Sequence, residues 1–515
     1  MGRIAVAAAV GAWAIPIAIL VDRLVPDPYM DEIFHVPQAQ RYCGGDLRSW
    51  DPMITTPPGL YYVSLAYVAS LFPGMWLING VQSLSQLCST SILRSTNVAL
   101  TIICSILVHD LLVHLRPSIG ERRASFYAIL ISLYPVHWFF TFLYYTDIAS
   151  LTAVLAMYLA SLKKRFWVSA ILGALAILFR QTNVVWVIFV AANGAIKYAE
   201  DFYETKSFPG ENEQLIQEEN NLLTNKKRTS TFPSLRRRKM NNSANTNKLH
   251  SSESSGYSIF IPRNYLAGII IEILDITLKL WSLKWKVLIA FAPYAMILIA
   301  FAAFIIWNGG IVLGAKEAHV VSPHFAQLLY FGLVSAAALA PFHFTPRQVA
   351  KLCQLFKRNK VLGSFLVFAA LGTSCIIVHF FSIAHPYLLA DNRHYPFYIW
   401  RKVIQAHWTM KYILVPLYVY SWFSIITILG ESQKRTWVLS FVLCVALVLI
   451  PAPLIEFRYF TIPFLLLILH SPATENSKWL VLGLLYAAVD IFTMAMFLFR
   501  PFRWEHEAGV QRFMW

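Results

Sequence analysis

Apolar residues run along this chain in long blocks broken by short polar loops, and the blocks recur near the ~20 residues with which a helix crosses a bilayer. They predict spans near residues 4–21, 58–78, 92–115, 124–143, 146–162, 166–180 and 184–199. After a break they predict others near 286–306, 324–342, 361–383, 411–429, 436–452, 459–470 and 479–499. The expected fold class is all-α, a polytopic membrane protein with about 11–14 transmembrane helices. Three regions follow: residues 1–200 with a first polar loop at 22–57, a polar stretch at 201–262, and residues 263–515. The first block, IAVAAAVGAWAIPIAILV, could pass for a signal peptide, but it runs straight into a loop dense in ionisable groups and is read as a retained anchor.

Of 515 residues, 57% are hydrophobic and 14% charged, which excludes an ordinary soluble enzyme of this length. The net charge of +16 comes from basic clusters between apolar blocks, such as KKR at 163–165 and KLCQLFKRNK at 351–360. That is the positive-inside signature, so the charge reports topology and no nucleic-acid partner is expected. One conflict remains. If the loop at 22–57 is luminal and RPSIGERR at 116–123 is cytosolic, residues 58–115 must cross an odd number of times, yet two apolar blocks lie there. Residues 201–262 are rich in Asn, Ser and charge and are expected to form a disordered basic cytosolic linker. The six cysteines show no CxxC spacing, and neither a disulfide framework nor a zinc site is expected.

Ionisable residues at or near membrane depth are costly and point to function. They gather in PYMDEIFHVPQAQRY, YYTDIAS at 144–150, FRQTN at 179–183, HPYLLADNRHYPFYIWR at 385–401 and EFRYF at 456–460, with WNGGIVLGAKEAH at 307–319 as a further neighbour. Asp31 or Glu32 could act as a general base on a substrate hydroxyl. Against that stands a plain acidic pair that solvates the end of a span. Arg393 and His394, with Arg180 and Arg458, are candidates to hold an anion; the alternative is pairing with Asp391, Glu456 or lipid. His35, His319, His385 and His394 are not spaced as metal ligands, so no metal is expected, and no nucleotide-binding glycine motif is present.

The stretches DEIFHVPQAQRYCGGDLRSWDPMITTPPGLY, FLYYTD, FRQTNVVW, NGGIVLG, LLADNRHYPFYIWR, IEFRYF and QRFMW stand in the order found in endoplasmic reticulum alpha-1,2-glucosyltransferases that use dolichyl-phosphate glucose. The chain resembles that family over essentially its whole length. Departures are the long insert at 201–262, Pro396 in NRHYPFY and Ile455 before EFRY. The resemblance implies a GT-C-type fold in the endoplasmic reticulum membrane with the active site facing the lumen. It also implies transfer of a third, terminal glucose to a dolichyl-pyrophosphate-linked oligosaccharide, with inversion and without a cofactor. An acidic residue of the first loop would be the base, Asp31 by position with Glu32 as the alternative. The remaining roles are expectations. Arg393 and His394, backed by Arg180 and Arg458, would neutralise the leaving phosphate, while Asp147, Gln181, Asn183, Asp391 and His35 would contact the sugars. Membrane lipids are obligatory partners, and a second role as a modulator of other membrane proteins is a further expectation. The alternatives are a transferase of the same membrane class that uses a mannose donor, and a non-catalytic transporter or channel modulator.

Overall fold

The computed structural model describes all residues except 80–81, 208–264, 320, 359, 473–474 and 506–508. The regular structure of the described residues is helical, with two isolated β-bridges and no strand. The first half contains α1 (Gly2–Leu24), α2 (Glu32–Cys43), α3 (Gly59–Asn79), α4 (Leu84–Leu87), α5 (Thr90–Leu115), α6 (Gly120–Ser132), α7 (Pro135–Phe140), α8 (Thr146–Leu162), α9 (Phe166–Phe179) and α10 (Val184–Ser207). The second contains α11 (Tyr265–Ser282), α12 (Lys284–Asn308), α13 (Ala326–Ala338), α14 (Pro346–Arg358), α15 (Lys360–Phe380), α16 (Val415–Gly430), α17 (Arg435–Leu449), α18 (Thr461–His470) and α19 (Asn476–Phe499). Helix α10 thus carries the chain through Ser207, and the rest of the expected linker, 208–262, lies outside the described residues.

Eight helices among the described residues are long and apolar enough to cross a membrane, and five shorter apolar helices accompany them. Large apolar side chains such as Ile271, Ile289, Ile306 and Phe368 are exposed, as a lipid-facing surface requires. Helices α1 and α5 fix the direction of the bundle because they run antiparallel. Arg3 donates to Asp110 at 2.7 Å at one end, and Ser91 donates to Asp22 at 2.7 Å at the other. The second of these is the polar end, where every expected functional stretch meets.

Helix α3 resolves the topological conflict, because it begins and ends at the polar end. Its start abuts the end of α9: a Cβ on Gly59 would lie 2.5 Å from the Leu178 carbonyl oxygen, so only glycine fits. Its first turns then follow the polar end, with Ser64 bonded to the Tyr144 hydroxyl at 2.7 Å and Ser95 of α5 donating to the Tyr67 hydroxyl at 3.2 Å. Beyond it, Cys88 is joined by a disulfide to Cys43 at the end of α2, with Cα atoms 6.5 Å apart. The expected span at 58–78 is therefore a helix that stays at the polar end, and residues 58–115 pass to the other end once, in α5. Setting α3 aside, and adding the five shorter helices and the broken α6–α7 pair, leaves thirteen passages between the two ends among the described residues. The disulfide also corrects the expectation drawn from cysteine spacing. The two cysteines are 45 residues apart, and only the fold brings them together.

Candidate active site

Each of the functional stretches lies where a helix begins or ends at the polar end. Met30 takes a left-handed backbone (φ 56°), which turns the chain out of the loop after α1 and into α2. Asp31 stands at the N-terminus of α2 but its carboxylate makes no capping bond. Glu32, the next residue, is sealed. Arg94 Nε and Nη2 donate to its two oxygens at 2.9 and 2.6 Å, and the Tyr29 and Tyr144 N–H groups add bonds at 3.0 and 2.5 Å. Its exposure is 0%, and Arg94 is held further by Asp22 and by the Val25 and Asp27 carbonyls. Every oxygen of Glu32 is already committed, so it anchors α2 to α5 and the α7–α8 turn.

Asp31 is the opposite case. Its side chain is 44% accessible, though it lies deep among surrounding atoms, and among the described residues its one ion pair is with Arg458 Nη1 at 3.2 Å. Its N–H donates to the Tyr145 hydroxyl at 3.1 Å, which fixes the backbone without engaging the carboxylate. Burial pushes the Asp31 carboxyl up, but Arg458 foremost, with His35 and His394, outweighs it and holds the group below its ordinary value. His35 accepts or donates at the Tyr61 hydroxyl, 2.6 Å away; burial, opposed by Asp31, keeps its pKa below the usual value, so the ring is neutral at pH 7.

Arg458 is shared. It pairs with Glu456 at 2.7 Å, with Asp31, and with Asp147 at 3.7 Å, and its guanidinium lies over the Phe140 and Tyr145 rings. Asp147, in the first turn of α8, takes Arg180 Nη2 at 3.1 Å, and Arg180 also donates to Thr146 Oγ1 at 3.2 Å. Asp31, Arg458, Asp147 and Arg180 thus form one alternating chain of charge drawn from four separate segments.

A second group faces it. Asp391 binds Arg393 through both oxygens, at 2.8 and 2.9 Å, and His394 Nε2 at 3.6 Å. Burial raises the Asp391 carboxyl, but Arg393 and His394 bring it below its ordinary value. Residues 502–504 and 511–515 strap this group from outside. Gln511 accepts from Arg393 Nη1 at 2.8 Å, the Trp504 ring lies 4.7 Å from the guanidinium, and His394 Nδ1 meets the Trp515 carbonyl at 2.9 Å. The strap also reaches the first loop, where the Tyr29 hydroxyl donates to the Arg512 carbonyl at 2.8 Å and accepts from its N–H at 2.7 Å. The QRFMW motif accordingly belongs to the site, although its sequence carries no obvious chemistry.

Gln181 and Asn183 are placed differently. The Gln181 amide donates to the Thr55 carbonyl at 2.6 Å, and that of Asn183 donates to Ser150 Oγ and the Ala176 carbonyl, each at 2.7 Å. Both are buried and pin loop and helix ends together. The stretch at 307–319 does the same from the other side. Leu313 and Ala315 N–H groups donate to the Thr55 and Pro52 carbonyls, and a Cβ on Gly314 would lie 2.3 Å from the Pro52 oxygen. No group of three or more potential metal ligands occurs among the described residues.

A helical bundle that holds a reachable carboxylate against a row of arginines at one end pairs a proton acceptor with fixed cations, the setting of a polytopic membrane enzyme. The chain belongs to the DIE2/ALG10 family, whose sequence model matches residues 25–469. It is 54% identical, over the full length of both chains, to the Dol-P-Glc:Glc(2)Man(9)GlcNAc(2)-PP-Dol alpha-1,2-glucosyltransferase of Arabidopsis thaliana. Proteins of the same name from Homo sapiens and Drosophila melanogaster are 32% and 29% identical over 96% and 95% of this chain and 94% of theirs. No solved structure matches it.

Proposed function

We propose that this protein transfers glucose from dolichyl phosphate glucose to Glc2Man9GlcNAc2-pyrophosphate-dolichol, forming an alpha-1,2 bond with Asp31 as the general base. The names of the full-length relatives support the reaction. The observation that carries the base assignment is the contrast at positions 31 and 32: one carboxylate is reachable with a single ion pair, the other is sealed on all sides.

The donor is beta-linked and the product alpha-linked, so one displacement with inversion suffices. Asp31 takes the proton of the acceptor glucose 2-hydroxyl as its oxygen attacks the anomeric carbon of the donor. The bond from that carbon to the phosphate oxygen breaks, and its electron pair leaves with dolichyl phosphate. No proton is needed on the phosphate where fixed cations receive it, and Arg393, His394 and Arg180 supply them. Arg393 is suited to this because Asp391, Gln511 and Trp504 already fix its planar fork. Arg458 has another use: it keeps Asp31 ionised between turnovers. Both substrates are lipid-anchored, so a site at the membrane surface meets them concentrated and oriented. The polar end is assigned to the lumen of the endoplasmic reticulum, because the basic loops 116–123 and 163–165 and the end of α14 with the start of α15 lie at the other end.

The test is glucose transfer by purified protein from dolichyl phosphate glucose to the diglucosylated acceptor, with dolichyl phosphate mannose as a parallel donor. An alpha-1,2 product from the glucose donor alone supports the reading. Transfer of mannose in its place, or none by folded protein, overturns it.

A further inference from the structure

The end of the bundle away from the catalytic cluster contains a second polar place. Between residues 339–348, the end of α16 and the start of α19 lies a cavity of ≈ 60 Å³. Three side chains on its wall are buried and present a polar atom without a hydrogen-bond partner: His343 Nε2, Gln348 Oε1 and Trp479 Nε1. Buried polar groups are almost always partnered, so three orphans around one cavity mark a place that receives a hydrogen-bonding guest. The other nitrogen of His343 meets Ser424 Oγ at 2.9 Å. With that hydroxyl donating, Nε2 carries the proton and faces the cavity as a donor, as the Trp479 indole does. The Gln348 amide can present either of its ends by rotation. Arg347 and Lys478 bring cations to the same wall, and the one carboxylate there, Glu431, is taken up by Lys351. Donors and cations together select an anion small enough for the cavity, which is the chemistry of a phosphate.

An apolar groove of ≈ 600 Å³ opens beside it, sharing Thr345 and lined by Phe344, Val349, Cys353, Leu417 and Tyr420. A polar chamber and an apolar groove therefore flank the first turn of α14. That helix sets Arg347, Lys351 and Lys357 among apolar residues, the pattern of a helix lying in a membrane interface. We propose that chamber and groove form a binding site for an anionic glycerophospholipid with a terminal phosphate, of the phosphatidic acid kind. The phosphate sits among His343, Gln348, Trp479 and Arg347, and an acyl chain follows the groove. The polyprenyl lipids of the reaction are not the occupants, because their phosphates belong at the opposite end of the bundle.

Full-length protein, delipidated in detergent, would be titrated with phosphatidic acid, phosphatidylcholine, dolichyl phosphate and inorganic phosphate, counting bound lipid by native mass spectrometry and following Tm. One phosphatidic acid per chain is expected, with a raised Tm, and the other three ligands weaker by about tenfold or more. Arg347→Gln and Gln348→Leu should each weaken phosphatidic acid by about tenfold, while glucose transfer at saturating substrate is unchanged. Gln348→Leu should also raise the Tm of lipid-free protein, because it removes an unpaired buried acceptor. Equal binding of phosphatidylcholine, a full effect from inorganic phosphate alone, preference for dolichyl phosphate, or wild-type affinity in both variants would each overturn the proposal. If Gln348→Leu does not fold, the exposed Arg347→Gln decides.

Discussion

Arg94 with Glu32 and Arg458 with Asp31 are the same pair chemically, and the two carboxylates are neighbours in sequence. Around Glu32 every lone pair is used by Arg94 and two backbone N–H groups, and water is excluded. Around Asp31 a shared arginine gives one contact, and almost half of the side chain is accessible. A carboxylate saturated with partners has nothing left to offer a substrate, whereas one held by a single shared cation keeps its charge and most of its lone pairs. Incomplete satisfaction, more than the presence of charge, is what singles out Asp31 for the proposed role of base.

The largest expected effect is on turnover. Asp31→Asn keeps the shape and removes the proton acceptor, so kcat should fall by about 10²- to 10⁴-fold with Tm unchanged. A fall of less than tenfold would remove Asp31 as the base. Glu32→Gln should act on stability instead. It leaves a buried guanidinium short of its counter-charge, which costs about 3–5 kcal/mol, nearer the lower figure here because Asp22 also touches Arg94. Thermal unfolding reads this directly, and a stable, inactive Glu32→Gln would reverse the comparison.

The far end of α2 supplies a third expectation. Glu32 holds one end of the helix and the Cys43–Cys88 bond the other, so Cys43→Ser should lower stability by about 2–4 kcal/mol, with kcat of the surviving folded protein close to wild type. A fourth concerns pH. Because Arg458 helps hold Asp31 below the ordinary carboxylate value, the acid limb of the kcat/KM profile that Asp31 sets should lie below that range. In Arg458→Gln burial acts with less opposition, the carboxyl pKa rises, and the limb moves toward neutral pH. A limb that stays in place would mean that another group sets it.

Much of the architecture was legible from apolar block length alone, and the polar stretches at 31–35, 144–147, 180, 391–394 and 456–458 do converge at one end. Helix α3 shows where such reading stops. Its composition is that of a span, and only its contacts, from Leu178 at its start to the disulfide beyond its end, show that it remains at one face. Gln181 and Asn183 are expected as sugar contacts, and FRQTN gives no sign that their amide nitrogens are bonded to the Thr55 and Ala176 carbonyls and the Ser150 hydroxyl. Nothing in SILRSTN distinguishes Arg94, which seals a carboxylate, from an arginine at a membrane surface. The strap formed by residues 502–504 and 511–515 is legible only through resemblance, since its contribution is made largely through backbone groups and ring faces.

That strap also imposes an order of events during biosynthesis. Tyr29 is made early and must wait for Arg512, which leaves the ribosome only after almost five hundred further residues have been translated and inserted, 483 positions later. Until then Arg393 and His394 lack their outer partners, so a chain that stops short of the strap has its early carboxylates in place but leaves these two side chains unbraced. Quality control that monitors insertion of the early helices would pass such a chain; only a check that senses the docked strap would distinguish a finished enzyme from a nearly finished one.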